Sequence, residues 1–303
     1  MKLYAPKYYT EFNCIADKCN HTCCVGLEID IDSATLDRYK CLSHSYAEKL
    51  LSSLSDGEIP HFNLTCGDRC PHLNEKGLCE IILNVGEDYL CDICREHPRF
   101  YNTSDGCMYV GLGMACEEAA RLILSSDSYG ELVEIDETEC EGYDFDFDSA
   151  SRRTEIYSIL SESEIAYSER LERIYAIFGV SPKILSDEAW EKIIDSLEYL
   201  DETHKTMFSC YSSEICVAPE YEKALERALA YFVYRHCTEV SDEYEFVSSL
   251  GFCLFCERLL ASMLASENPK DEYEMARLAR ILSEELEYSE DNTEAIKLEF
   301  YFE

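Results

Sequence analysis

Residues 12–24 read Phe12-Asn13-Cys14-Ile15-Ala16-Asp17-Lys18-Cys19-Asn20-His21-Thr22-Cys23-Cys24. Thiolates bind iron or zinc through sulfur, and short spacings between cysteines let several sulfurs converge on one site without straining the backbone. The adjacent pair Cys23-Cys24 sends its side chains in diverging directions, so it can serve two metal atoms, or one member ligates while the other packs. Read as a metal-binding loop, this segment decides the architecture: a stretch held by metal rather than by a large apolar core.

Working outward, Cys70-Pro71, Cys79, Cys91-x2-Cys94 and Cys116 continue the pattern. The chain has 303 residues and 18 cysteines, of which 12 lie at or before Cys116. A uniform taste for cysteine would spread them. A reducing cytoplasm keeps structural thiols unpaired, so metal binding is expected rather than a disulfide framework. A lone zinc site wants four ligands in recognisable pairs, and this region offers such a pair once, at Cys91 and Cys94. The irregular set suits one cubane iron–sulfur cluster, or two, and zinc stays the alternative metal. Cys210, Cys216, Cys237, Cys253 and Cys256 are read as small buried hydrophobes of the core. His21 and His97, close to cysteines, are read as packing or hydrogen-bonding groups.

The expected fold class is mainly α, with a loop-rich, metal-stapled N-terminal region packed on a C-terminal helical bundle. Residues 1–124 form the cysteine-rich region, 125–150 an acidic linker and 151–303 the helical domain. A helix is expected to open near Cys116, because Glu117-Glu118-Ala119-Ala120-Arg121-Leu122 puts acidic residues in a first turn, where the macrodipole favours them. Tyr143-Asp144-Phe145-Asp146-Phe147-Asp148 alternates like a short strand or an extended linker. Beyond it helical stripes run through Tyr167, Leu171, Ile174 and Phe178, then Trp190, Ile193, Leu197 and Leu200. Further stripes join Leu225, Leu229, Phe232 and His236, and Met275, Leu278, Leu282 and Leu286.

The 26 basic and 62 acidic residues give a formal charge of −36. That field repels the phosphate backbone and anionic lipid, so neither nucleic acid nor a membrane is expected as a partner, whereas a lysine-bearing protein surface is attracted. Pro6 and Lys7 interrupt the N-terminus before an apolar stretch develops, and no apolar run is read as approaching the roughly 20 residues that cross a bilayer. The expected location is the cytoplasm.

In their order along the chain, Phe12-x-Cys14-x4-Cys19-x3-Cys23-Cys24-x-Gly26, Cys70-Pro71-His72-Leu73, Gly77-Leu78-Cys79, Gly86-Glu87, Cys94-x2-His97-Pro98-Arg99 and Cys116-Glu117-Glu118-Ala119-Ala120-Arg121-Leu122 resemble the flagellin lysine N-methylases. The similarity is strongest over residues 12–124, with an echo at Tyr231-Phe232-Val233-Tyr234-Arg235. The resemblance implies transfer of a methyl group from S-adenosylmethionine to lysine ε-amines of flagellin or another lysine-bearing protein, with an iron–sulfur cluster, four-iron in type. It makes Cys14, Cys19, Cys23, Cys24, Cys70, Cys79, Cys94 and Cys116 the candidate ligands. This chain departs from the pattern in its extra cysteines Cys66, Cys91 and Cys107 and in Leu27, where tryptophan is expected.

Amine methylation needs a neutral nitrogen attacking in line on the sulfonium methyl, and so a base and an orienting site. With 62 carboxylates and 22 tyrosines the sequence singles out no base. A Gly-rich donor-binding turn is absent, Gly111-Leu112-Gly113 being read as a simple turn, and so is the Cys-x3-Cys-x2-Cys triplet of radical enzymes. Two other functions therefore stand beside the methylase: a non-enzymatic zinc or iron–sulfur binding module, and an electron carrier.

Overall fold

The computed structural model of the chain describes residues 1–128, 130–137 and 147–301. It divides into two compact units, Met1–Phe12 with Phe100–Glu303, and Asn13–Arg99. The sequence places its boundary at 125–150, whereas the contacts part at Phe12 and Arg99. The reason is a small sheet, in the order β2-β3-β1-β4, that draws the N-terminus onto later strands.

The strands are β1 (Lys2–Pro6), β2 (Arg99–Ser104), β3 (Cys107–Leu112) and β4 (Leu132–Glu137). β1 runs parallel to β3 and antiparallel to β4. β2 and β3 are joined by Asp105-Gly106, both at positive φ, as a tight two-residue hairpin requires. Gly111 therefore lies in a strand and not in a turn. The Phe100 ring occupies the place of its missing side chain, 2.3 Å from where a Cβ would sit. Of the alternating segment 143–148, residues 143–146 fall outside the described residues.

The rest of this unit is helical. α5 (Glu117–Ser125) opens at Cys116, as the first-turn acids predict. It packs on α10 (Pro219–His236) and α12 (Glu272–Leu286), and α10 lies along α11 (Glu243–Glu267). α6 (Ser149–Leu160), α7 (Tyr167–Phe178), α8 (Asp187–Ser196), α9 (Glu202–Phe208) and α13 (Glu290–Leu298) complete it. Local chemistry sets their ends. The Asp242 side chain accepts from the Glu245 amide at the start of α11, and Asn268 in the left-handed region stops it. Tyr167, Leu171, Ile174 and Phe178 are all buried, as their spacing predicts. The stripe from Trp190 stops short: α8 ends at Ser196, and Leu200 is exposed.

α11 corrects the expectation that no segment is long and apolar enough to span a bilayer. It has the length and a mean hydropathy of 1.5 over 18 residues, but 94% of that window is buried inside the protein. Cys253 and Cys256 sit in it fully buried and Cys237 is buried beside α10, as core cysteines should be. Cys210 packs half-buried against the same core, but Cys216 is exposed and does not belong to it.

The Asn13–Arg99 unit is loop-rich. Its helices are short: α1 (Ser33–Cys41), α2 (Ala47–Ser52), α3 (Glu80–Val85) and α4 (Asp92–Glu96). Isolated bridges such as Val25 with Arg69 and Leu73 with Cys79 take the place of a sheet. Its core comprises Ile29, Ile31, Tyr39, Tyr46, Leu50, Phe62, Ile81 and Cys91, with Cys70, Cys79 and Cys94 packed against them. Eight buried apolar side chains are few for a unit this size, and units with so little core are commonly fastened by metal or disulfides.

Candidate metal centre

The thiols of Asn13–Arg99 are brought together by backbone pairing. The segment through Cys24 lies antiparallel to that through Cys70: the Gly26 amide donates to the Asp68 carbonyl at 2.9 Å, and the Cys70 amide to the Cys24 carbonyl at 2.8 Å. From Cys70 the chain turns back on itself. The Asn74 side chain accepts from the amides of Lys76 and Leu78, Gly77 takes a positive φ, and Leu73 bridges Cys79. Such an Asx turn followed by glycine reverses a chain in few residues. Cys79 then caps the start of α3, and Cys91 the start of α4, one helical turn before Cys94.

Asp32 fixes the second of these helices. One of its carboxylate oxygens accepts from the Thr35 amide at the start of α1, and the other from the Asp92 amide at the start of α4. Arg38 and Tyr39 of α1 donate to the carbonyls of Asp88 and Tyr89, clamping the loop that leads to Cys91.

His72, fully buried between Cys70 and Cys79, is the internal brace. Its Nδ1 lies 2.7 Å from the Tyr46 hydroxyl and its Nε2 2.9 Å from the Ser53 hydroxyl, while its edge meets the Phe62 ring at 4.7 Å. Ser53 donates its own proton to the Leu50 carbonyl, so Nε2–H donates to Ser53 and Nδ1 accepts from Tyr46. This is a neutral imidazole. Burial pulls its pKa down to about 4, the Lys49 ammonium adding to the effect.

Five thiols sense one another: Cys24, Cys70, Cys79, Cys91 and Cys94. The hydrogen bond with the Cys23 thiol draws Cys24 down to about 6 against the cost of burial, with Thr22 and Arg69 assisting. Burial pushes Cys70 up to about 11, the charges of Cys24, Cys79 and Cys91 adding to it. Cys79 is raised chiefly by burial, against the amides of Ile82 and Ile81, which favour its thiolate. Cys91 is lowered by the Cys94 thiol, and Cys94 correspondingly raised by Cys91 and then by burial. Each thiolate in such a group opposes the next, and a bound cation relieves them all at once.

Of the sequence-derived ligands, Cys24, Cys70, Cys79 and Cys94 thus fall in one place, with Cys23 hydrogen-bonded at its edge. Cys14 is exposed on the loop after the N-terminal 3-10 turn, and the Cys19 thiol donates to the His21 carbonyl at 2.6 Å. Cys116 belongs to the other unit, where it caps α5 and packs half-buried on the helical core. Cys91 joins the group although the resemblance left it out; its signal in the sequence was the Cys-x2-Cys spacing to Cys94.

The gathered donors are all thiols, which zinc and iron–sulfur clusters both accept. Zinc in a tetrahedron of thiolates, with Zn–S of about 2.3 Å, holds its sulfurs about 3.8 Å apart. Among the described residues no three of these sulfurs lie within 4.8 Å of one another; the residues that do crowd so closely are Glu28, Asp30 and His61.

Comparison with known proteins finds partial matches. The chain is similar to the flagellar biosynthetic protein FliU of Salmonella muenchen, 25% identical over 127 residues, which is 40% of this chain and 75% of that protein. It is also similar to the lysine-N-methylase of Salmonella typhimurium and to that of Salmonella choleraesuis, each 28% identical over 129 residues. These matches cover 40% of this chain, and the chain spans about a third of each lysine-N-methylase. No family model matches the chain, and no solved structure does.

Proposed function

We propose that the protein is a protein-lysine N-methyltransferase, moving a methyl group from S-adenosylmethionine to lysine ε-amines, with a four-iron cluster held in the Asn13–Arg99 unit. The observation that carries the reading is the gathering of Cys24, Cys70, Cys79, Cys91 and Cys94, in a chain whose similar proteins include lysine-N-methylases. Four of these five thiolates would hold the cluster, Cys91 among them. When bound, the cluster supplies a compact redox-capable charge centre that neutralises the thiolates.

What the chain's own residues do is positional. The α3 amides stabilise Cys79 as thiolate, the Cys94 thiol and amide stabilise Cys91, and His72 keeps the Cys70–Cys79 loop closed. The acidic surface would attract a lysine-bearing partner, flagellin being the substrate that the flagellar name of one similar protein suggests. The proposed location is the cytoplasm, where thiols stay reduced.

Labelled S-adenosylmethionine and flagellin, incubated with protein purified without oxygen, test the reading. Mass spectrometry should find methylated lysines on flagellin. No label on any lysine-bearing protein, with the cluster intact, would leave a metal-binding module or electron carrier in its place.

A further inference from the structure

In the helical unit a small cavity, about 20 Å³, is lined by Tyr8, Arg153, Tyr157, Arg227 and Tyr231 among others. The Nε–H groups of Arg153 and Arg227 and the hydroxyl of Tyr157 are buried and make no hydrogen bond. All three can donate: burial keeps the Tyr157 phenol protonated against the pull of the neighbouring Arg153 guanidinium. Arg227 balances its charge on Asp127 and also donates to the Leu124 carbonyl. Arg153 is 3% exposed, and among the described residues no carboxylate pairs with it. Asp148, exposed at the start of α6, feels its charge without meeting it. Its guanidinium instead lies 5.4 Å from the centre of the Tyr109 ring.

A buried guanidinium without a counter-charge is costly, and unanswered donors add to the cost. It is the more notable in a chain with 62 carboxylates, any of which could have been placed there. Of the other tyrosines at the cavity, Tyr234 donates to the Val110 carbonyl and Tyr231 to Glu287. We propose that this cavity binds a small monoanion, halide- or carboxylate-sized, against Arg153, Arg227 and Tyr157. The volume admits about one such group or one water, and not a sulfate or phosphate with its shell. The group is either a free anion or the carboxylate end of a larger ligand. The proposal is independent of methyl transfer and of the metal centre.

The test uses the full chain in a buffer whose only anion is the bulky sulfonate MES, at constant ionic strength. Replacing MES, which carries no carboxylate and is too large for the cavity, by chloride or formate should raise the melting temperature saturably, and bound chloride should broaden the chloride-35 NMR line. Tyr157→Phe keeps the ring and removes one donor, and should raise the dissociation constant about tenfold. Arg153→Gln should abolish the effect; if that variant fails to fold, Tyr157→Phe decides alone. Displacement of chloride by S-adenosylmethionine but not by its methyl ester would assign the site to a ligand carboxylate, and no displacement would assign it to a free anion. Equal stabilisation by MES and chloride, or unchanged affinity in Tyr157→Phe, would overturn the proposal.

Discussion

The amide of Cys70 donates to the carbonyl of Cys24 at 2.8 Å, joining two cysteines that are far apart in sequence. This pairing, not a helix or a sheet, seats the first thiol beside the rest. The centre therefore depends on loops, and loops hold their shape only while their braces do.

His72 is the brace whose loss should be felt most. His72→Leu keeps volume but removes the hydrogen bonds that the imidazole makes with the Tyr46 and Ser53 hydroxyls, which should cost about 2–3 kcal/mol. Thermal unfolding of the metal-free protein should show the Asn13–Arg99 unit melting earlier while the helical unit is unchanged. Equal melting of that unit in the variant and the parent would show that the imidazole is not structural.

Cys91 separates this account from one based on motif order alone. Cys91→Ser should lose most of the bound metal, and Cys41→Ser, at an exposed position, should lose none. Metal content measured beside each protein's circular dichroism distinguishes a lost ligand from a lost fold. Full metal loading in Cys91→Ser would remove it from the ligand set.

Metal removal should act on one unit. With eight buried apolar side chains as its core, Asn13–Arg99 should become sensitive to protease after chelation under reducing conditions. The helical unit should survive as a resistant fragment. Cleavage spread evenly along the chain would contradict this division of labour.

His236 makes stability depend on pH. It is partly buried at the end of α10, its ring edge against Phe252 and its Nε2 2.7 Å from the Glu287 carboxylate, and loss of solvent there brings its pKa down to about 4. Unfolded, it titrates near 6.5. The native state therefore binds fewer protons between these values, so stability is full above pH 6.5 and falls as the pH drops towards 4. At about 1.4 kcal/mol per pKa unit the loss is on the order of 3 kcal/mol. Urea titrations from pH 7 to 4 should show it, and His236→Gln should flatten the profile; an equally steep profile in that variant would point to other groups.

Gly251 lies where α11 meets the Phe300 ring, and a Cβ there would stand 2.2 Å from its Cγ. Gly251→Ala should destabilise the helical unit by about 2–3 kcal/mol, although alanine favours helix, because overpacking outweighs propensity. Phe300→Leu in the same chain should recover part of the loss. A neutral or stabilising Gly251→Ala would show that the ring moves aside freely.

The helices beyond residue 150 were largely legible, because one apolar stripe facing one core repeats at helical spacing, as Tyr167 to Phe178 shows. The sheet was not. β1 is five residues long and pairs with strands more than a hundred residues away, a partnership that no local pattern carries. The hairpin around Asp105-Gly106 was the one local signal for it. At the candidate centre the resemblance supplied four of the five gathered thiols, but it also named Cys116, which the chain carries into the other unit. Cys91 was legible through its Cys-x2-Cys spacing to Cys94, although the resemblance left it out of the ligand set. Leu200 marks the limit of periodicity: its spacing fits a helix that had already ended at Ser196.

The most direct measurement is the iron, zinc and acid-labile sulfide content of the full chain purified without oxygen, together with its visible spectrum. The account predicts a brown protein with broad absorbance near ~400 nm and about four irons and four sulfides per chain. A colourless protein holding zinc and no sulfide would contradict it.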